Sequence, residues 1–111
     1  MARRLKRPTH SAPALQLDLG KLTLTGEKGK VGLPPHETAM LNAFTRAPGQ
    51  RLENWQLIEL LGKSEATYSK ASLDVQMFRL RKKLAQVGTE AQPIKVLRLL
   101  GYQLCVPVGV V

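Results

Sequence analysis

The chain has 111 residues, 43% of them hydrophobic, which is enough for one domain with one core. Seventeen lysines and arginines against eight aspartates and glutamates leave a formal net charge of +9; a positive field of that size favours polyanions, either nucleic acid or an acidic membrane surface. A single cysteine, Cys105, excludes an internal disulfide and a cysteine-rich zinc site.

No apolar run approaches the ~20 residues needed to span a bilayer. The basic N-terminus is not followed by the apolar segment of a signal peptide. The expectation is a cytoplasmic protein with no membrane partner.

Met1–Pro13 carries Arg3, Arg4, Lys6 and Arg7, is broken by Pro8 and Pro13, and has no apolar period. It reads as a basic linker or tail, or alternatively as an arm that touches nucleic acid; residues 14–111 form the domain. From Ala14 to Leu33, Leu15, Leu17 and Leu19 alternate, then Leu22 and Leu24 follow Gly20. Period-two leucines between glycine breakers predict short antiparallel strands, with a further one over Val31–Leu33.

Pro34-Pro35 stops the sheet. Pro35 suits a first helical turn and Glu37 suits the positive helix end. Met40, Leu41 and Phe44 recur at helical spacing, so Pro35–Arg46 is a first helix, ended by Ala47-Pro48-Gly49. A second helix is expected over Glu53–Leu61, with Trp55, Leu57, Ile58 and Leu61 apolar, ended by Gly62. Lys63–Lys70 reads as a polar loop.

Ser72–Leu84 is a third helix, beginning at Ala71 or Ser72. Leu73, Met77, Leu80 and Leu84 form one apolar stripe, which is core. Ser72, Gln76, Arg79 and Lys83 form a stripe beside it that is expected to point outward, and Val75, Phe78 and Lys82 lie opposite the core. After a loop over Val87–Pro93, Ile94–Leu97 and Tyr102–Val106 alternate as a hairpin bearing Lys95, with Arg98 near its tip. Sheet, three helices and terminal hairpin give an α+β class with the winged helix-turn-helix plan.

The outward face of the third helix is the candidate site, because the major groove admits an α-helix. Arg79 is placed mid-helix for a bidentate grip on guanine; the bland alternative is a solvated basic face. Asp74 either pairs with the positive helix end or accepts from cytosine N4. Phe78 is large and apolar yet off the core stripe; thymine methyls, a sugar, another protomer or the hairpin could each cover it. Arg98 could enter a minor groove. His10 and His36 stand apart from any acidic or cysteine cluster, and Cys105 reads as a small buried residue. No catalytic constellation, phosphate-cradling glycine loop or metal set is visible, so the expectation is a non-enzymatic domain without a cofactor.

LPPHETAMLNAF, QLIELLG, SLDVQMFRLRKKL and VLRLLGYQL, in that order and spacing, resemble the OmpR/PhoB-type effector domain of bacterial response regulators over about Leu15–Pro107. The most specific pieces are D-V-x-x-x-R-L-R-K-x-L in the third helix and R-x-x-G-Y in the hairpin. The resemblance implies an N-terminal four-stranded sheet, a recognition helix in the major groove of double-stranded DNA and a wing at the minor groove. It implies that Val75 and Arg79 face bases, with Asp74 a lesser candidate. Ser72, Gln76 and Arg81 would hold phosphates, and Arg98 would be the minor-groove arginine; beside these, Lys82 is expected to hold a phosphate and Lys95 to serve the wing. It further implies that the 62–69 loop corresponds to the segment that meets RNA polymerase in activators, and that two copies bind direct repeats head to tail.

Five positions depart from the family pattern. Pro34 replaces a threonine cap, Glu53 a serine cap, and Gly62 a tryptophan. Phe78 replaces a basic phosphate contact, and Leu99 replaces the first glycine of the wing motif. The acidic receiver domain of two-component regulators is absent from these residues, and Arg3–Pro13 resembles an interdomain linker. The chain is therefore expected to be either the C-terminal half of a regulator or a stand-alone one. One rival function is a protein-interaction module of the same shape, docking through Phe78 and the loop with only weak non-specific DNA binding. Another is a structure-selective RNA binder, which an aromatic content of 5% disfavours.

Overall fold

The computed structural model describes residues 15–63, 68–88 and 92–111. The basic segment 1–13 and part of the 62–69 loop lie outside the described residues.

Strands β1 (Leu15–Asp18), β2 (Thr23–Gly26) and β3 (Gly29–Gly32) form an antiparallel ribbon, with Leu17 opposite Leu24 and both buried. The Asp18 carboxylate accepts from the backbone N–H of Gly20 and Lys21 at 2.9 and 3.0 Å, which sets the turn into β2. Leu19, expected on the core face, lies past the end of β1 and is exposed.

Helix α1 spans Pro35–Arg46, as the spacing predicts. Pro34 offers no side-chain cap. The Pro34 carbonyl accepts both the Thr38 N–H, at 3.0 Å, and the Thr38 hydroxyl, at 3.2 Å.

A 3₁₀ turn over Pro48–Gln50 leads into β4 (Arg51–Glu53), a strand absent from the sequence reading. Helix α2 is accordingly shorter than expected, Asn54–Leu60. Glu53 nevertheless caps it: its carboxylate accepts from the N3 backbone, and Gln56 Oε1 accepts from the Glu53 N–H at 2.8 Å. Trp55, expected among the apolar contacts of this helix, is exposed, with its indole N–H donating to Glu53.

Helix α3 spans Lys70–Gln86, two residues beyond the expected range at each end. Ser69 is its N-cap and accepts from the Ser72 N–H at 3.1 Å. Strands β5 (Ile94–Leu97) and β6 (Gly101–Leu104) then form the hairpin, which β4 joins in the order β4-β6-β5. A side chain on Gly101 would collide with the Leu52 backbone, so the glycine of R-x-x-G-Y is what lets β4 approach the wing. The second hairpin strand stops at Leu104. Cys105 lies beyond it and is exposed, contrary to the expectation of a buried thiol.

The last strand, β7 (Val108–Val110), pairs parallel with β1, Leu15 opposite Val108, completing a sheet of order β3-β2-β1-β7. The sheet is four-stranded, but its fourth strand arrives from the far end of the chain rather than from the N-terminal region. The three-residue segment around Gly109 has no alternation of its own; β1 supplies its register. One cluster of buried side chains joins β1 and β2, Met40, Leu41 and Phe44 of α1, Leu57 and Ile58 of α2, the α3 stripe, Ile94 and Tyr102. No helix among the described residues is long and apolar enough to cross a membrane.

Candidate nucleic-acid interface

Helix α3 is roughly 25 Å long at 1.5 Å per residue. Leu73, Met77, Leu80 and Leu84 are all fully buried, so one side of the cylinder is fixed against the core. At ~100° per residue, Gln76 and Lys83 fall on one flank and Asp74 and Arg81 on the other.

Each flank is tied down twice. On the α1 side, Gln76 Oε1 lies 3.2 Å from His36 Nε2, and the Lys83 ammonium donates to Glu37 Oε1 at 2.7 Å. Glu37 is only 2% exposed. It stands in the first turn of α1, as the sequence predicts, and is also the buried partner of Lys83. Lys83 was expected to point outward, but it is only partly exposed and is turned toward α1.

On the wing side, the Tyr102 hydroxyl donates to Asp74 Oδ1, and Arg81 Nε donates to the Ile94 carbonyl at 2.9 Å. The Lys70 ammonium also reaches Asp74, at 3.3 Å. The Tyr102 hydrogen bond is the main reason the Asp74 carboxyl is held below its usual range. Partial desolvation opposes it, and Lys70 and Arg81 add to it. Burial, reinforced by the carboxylate, pushes the Tyr102 phenol well above its usual value. The early start of α3 puts Asp74 in the second turn, and the first turn holds no acid. Its partner is therefore the wing and not the helix dipole.

Between the flanks lies a face with no such ties to the described residues. Val75, Phe78, Arg79 and Lys82 are all exposed there, and the Lys82 ammonium stands 5.5 Å from the centre of the Phe78 ring. Of the residues predicted to meet bases, Val75 and Arg79 are on this face and Asp74 is bound to the wing. Of the predicted phosphate contacts, Lys82 is on it. Ser72 takes part in the helix cap, and Gln76 and Arg81 are engaged with α1 and β5.

The wing turn covers Arg98–Leu100, with Arg98 exposed at its tip and Lys95 exposed on β5. Leu99 adopts φ 62 and is 95% exposed. Leucine thus occupies a left-handed position that glycine fills without strain. His36, Glu37 and Tyr102 hold α3 in place, and sequence reasoning assigned none of them that role. The only signal was that Gln76/Lys83 and Asp74/Arg81 are each seven residues apart, two turns along one flank.

Residues 27–104 match the family model described as "Transcriptional regulatory protein, C terminal". The chain belongs to this family. It is 30% identical over 94 residues to the transcriptional regulatory protein AfsQ1 of Streptomyces coelicolor, covering 85% of this chain and 42% of that protein. The chain therefore spans under half the length of that curated relative. Among solved structures, the DNA-binding domain of CpxR from E. coli is 27% identical with a TM-score of 0.68, covering 93% of this chain and 98% of that one. The Klebsiella pneumoniae RstA DNA-binding domain, solved in complex with the RstA box, is 30% identical with a TM-score of 0.59, covering 74% and 81%. The fold is the winged helix of response-regulator effector domains, with α2 and α3 as the helix-turn-helix and β5–β6 as the wing.

Proposed function

We propose that this chain is the sequence-specific, double-stranded-DNA-binding part of a bacterial transcriptional regulator. Helix α3 lies in the major groove and the β5–β6 wing lies at the minor groove. The observation that carries this reading is the division of α3: two flanks tied to α1 and to the wing leave one outward face, with Arg79 and Lys82 on it. A helix held on both sides is rigid enough to present that face in a groove ~12 Å wide. The RstA domain, bound to its box, is a family relative at 30% identity and supports the same use here.

In this reading Arg79 and Val75 meet bases, with Asp74 secondary. Ser72 and Lys82 hold phosphates, joined by whatever donors Gln76 and Arg81 keep free. Arg98 and Lys95 approach the minor groove. The chain acts by binding, without catalysis or a cofactor, in the cytoplasm where bacterial DNA is. Residues 14–111 are the domain and 1–13 its linker. Head-to-tail pairing on direct repeats and a polymerase contact through residues 62–69 complete the proposal.

Selection of binding sites from a random duplex pool tests it. A compact motif, recovered as a direct repeat, is the expected result; binding without enrichment of any motif would overturn sequence-specific recognition. Affinity for the recovered site should fall steeply with salt, because each phosphate contact contributes a slope of about −0.9 in log K against log salt.

A further inference from the structure

We propose that Phe78 recognises the 5-methyl group of thymine, with Val75 beside it on the same face, so that the target site contains an A·T pair at the point where this patch meets the groove. The inference rests on the DNA-binding reading above and adds a base identity to it.

Phe78 is 57% exposed and Val75 47%. They are three residues apart on α3 and therefore neighbours on its outward face. Neither belongs to the core cluster. They form an apolar patch in the middle of the face that is otherwise cationic, with Arg79 beside them and the Lys82 ammonium above the Phe78 ring at 5.5 Å. The net charge of +9 on the chain favours a polyanion as the occupant of this face.

A phenyl ring offers a phosphate no hydrogen-bond donor. The edges of the major groove are donors and acceptors at every base pair, with one apolar group among them, the thymine methyl. An apolar patch flanked by cations therefore complements a thymine methyl flanked by phosphates. Lys82, drawn to the face of the ring, is held where a strand passes. Phe78 both covers the methyl and positions a phosphate contact.

The test uses the duplex recovered by site selection, with each thymine in turn replaced by deoxyuridine. That change removes a methyl group and leaves every hydrogen bond in place. For the unsubstituted protein, one replacement should weaken binding about fourfold, the worth of one buried methyl-sized group. Phe78→Ala should bind thymine and deoxyuridine duplexes equally at that position. Phe78→Leu should restore part of the difference. Because Phe78 is exposed, the alanine variant is expected to fold, and a thermal melt matching the parent checks this.

Tolerance of deoxyuridine at every position, or discrimination that survives in Phe78→Ala, overturns the proposal while specific binding stands. Absence of any selected motif would overturn the DNA reading itself, before deoxyuridine is introduced.

Discussion

On the flanks of α3, Gln76, Lys83, Asp74 and Arg81 each have a partner in a neighbouring element; on the face between them, Val75, Phe78, Arg79 and Lys82 are left to solvent. Lys82 and Lys83 are adjacent in sequence and identical in chemistry. One is exposed beside an aromatic ring and the other neutralises a buried glutamate. What separates them is ~100° of helix rotation. Charge along a helix therefore says little about recognition until the flanks are known. A basic residue on a flank serves the architecture, and its neighbour is free to meet a ligand.

The largest effect should come from cutting a flank. Lys83→Met leaves Glu37 buried without its partner and should cost about 3 kcal/mol. For a domain of this size that is a fall in Tm of roughly 15 °C. At temperatures where the variant is folded, the selected motif should be unchanged. A changed motif with unchanged Tm would reverse the roles assigned to flank and face.

Arg79→Ala is the reciprocal cut. Tm should hardly move, while discrimination at one base position falls by about 2 kcal/mol in a competition assay across single-base variants of the site. A uniform loss across all variants would make Arg79 a phosphate anchor.

A smaller effect is expected at the wing flank. Tyr102→Phe removes one hydrogen bond to Asp74 and should lower stability by about 1 kcal/mol. The pH dependence has a definite sign. The folded state holds the Asp74 carboxyl below its ordinary value, so this contribution is complete above the ordinary carboxylate range. It is lost as pH falls below that range, through the lowered value. Acid unfolding curves of parent and variant should therefore converge as pH drops. Curves that stay equally separated down to the lowest pH would remove Asp74 from the account.

The smallest change is outside α3 altogether. Leu99→Gly relieves a left-handed backbone costing ~1–2 kcal/mol but adds the chain entropy of glycine, so a gain of about 0.5 kcal/mol is expected in denaturant melts.

Much of the frame was legible because it is written in apolar spacing. Leu15, Leu17, Leu24, Met40, Phe44 and the four-residue α3 stripe all go where their periodicity sends them. The short strands β4 and β7 were not legible: three residues hold no period, and each is a strand only because β6 or β1 offers it an edge. On α3, Val75 and Lys82 are exposed as their place opposite the core predicts, and so is Arg79 from the stripe beside it. The ties of Lys83, Asp74 and Arg81 were hidden, since they depend on Glu37, Tyr102 and Ile94, which lie in other elements. Cys105 and Trp55 misled for a related reason. Both are apolar by type, but each falls just past an element boundary or off its packed face, and burial follows position more than composition.

The parallel pairing of β1 with β7 has a consequence for how the molecule comes into being. Leu15 and Val108 are joined in one ladder, and the Val111 N–H donates to the Leu17 carbonyl at 2.8 Å. A ribosome releases β1, then all three helices and the wing, before β7 is made, so over that interval β1 carries a bare hydrogen-bonding edge. Contacts that far apart in sequence are also the slowest to close. The nascent sheet is thus open to pairing with another chain until β7 emerges, and a chain cut short after Pro107 would keep that edge for its lifetime.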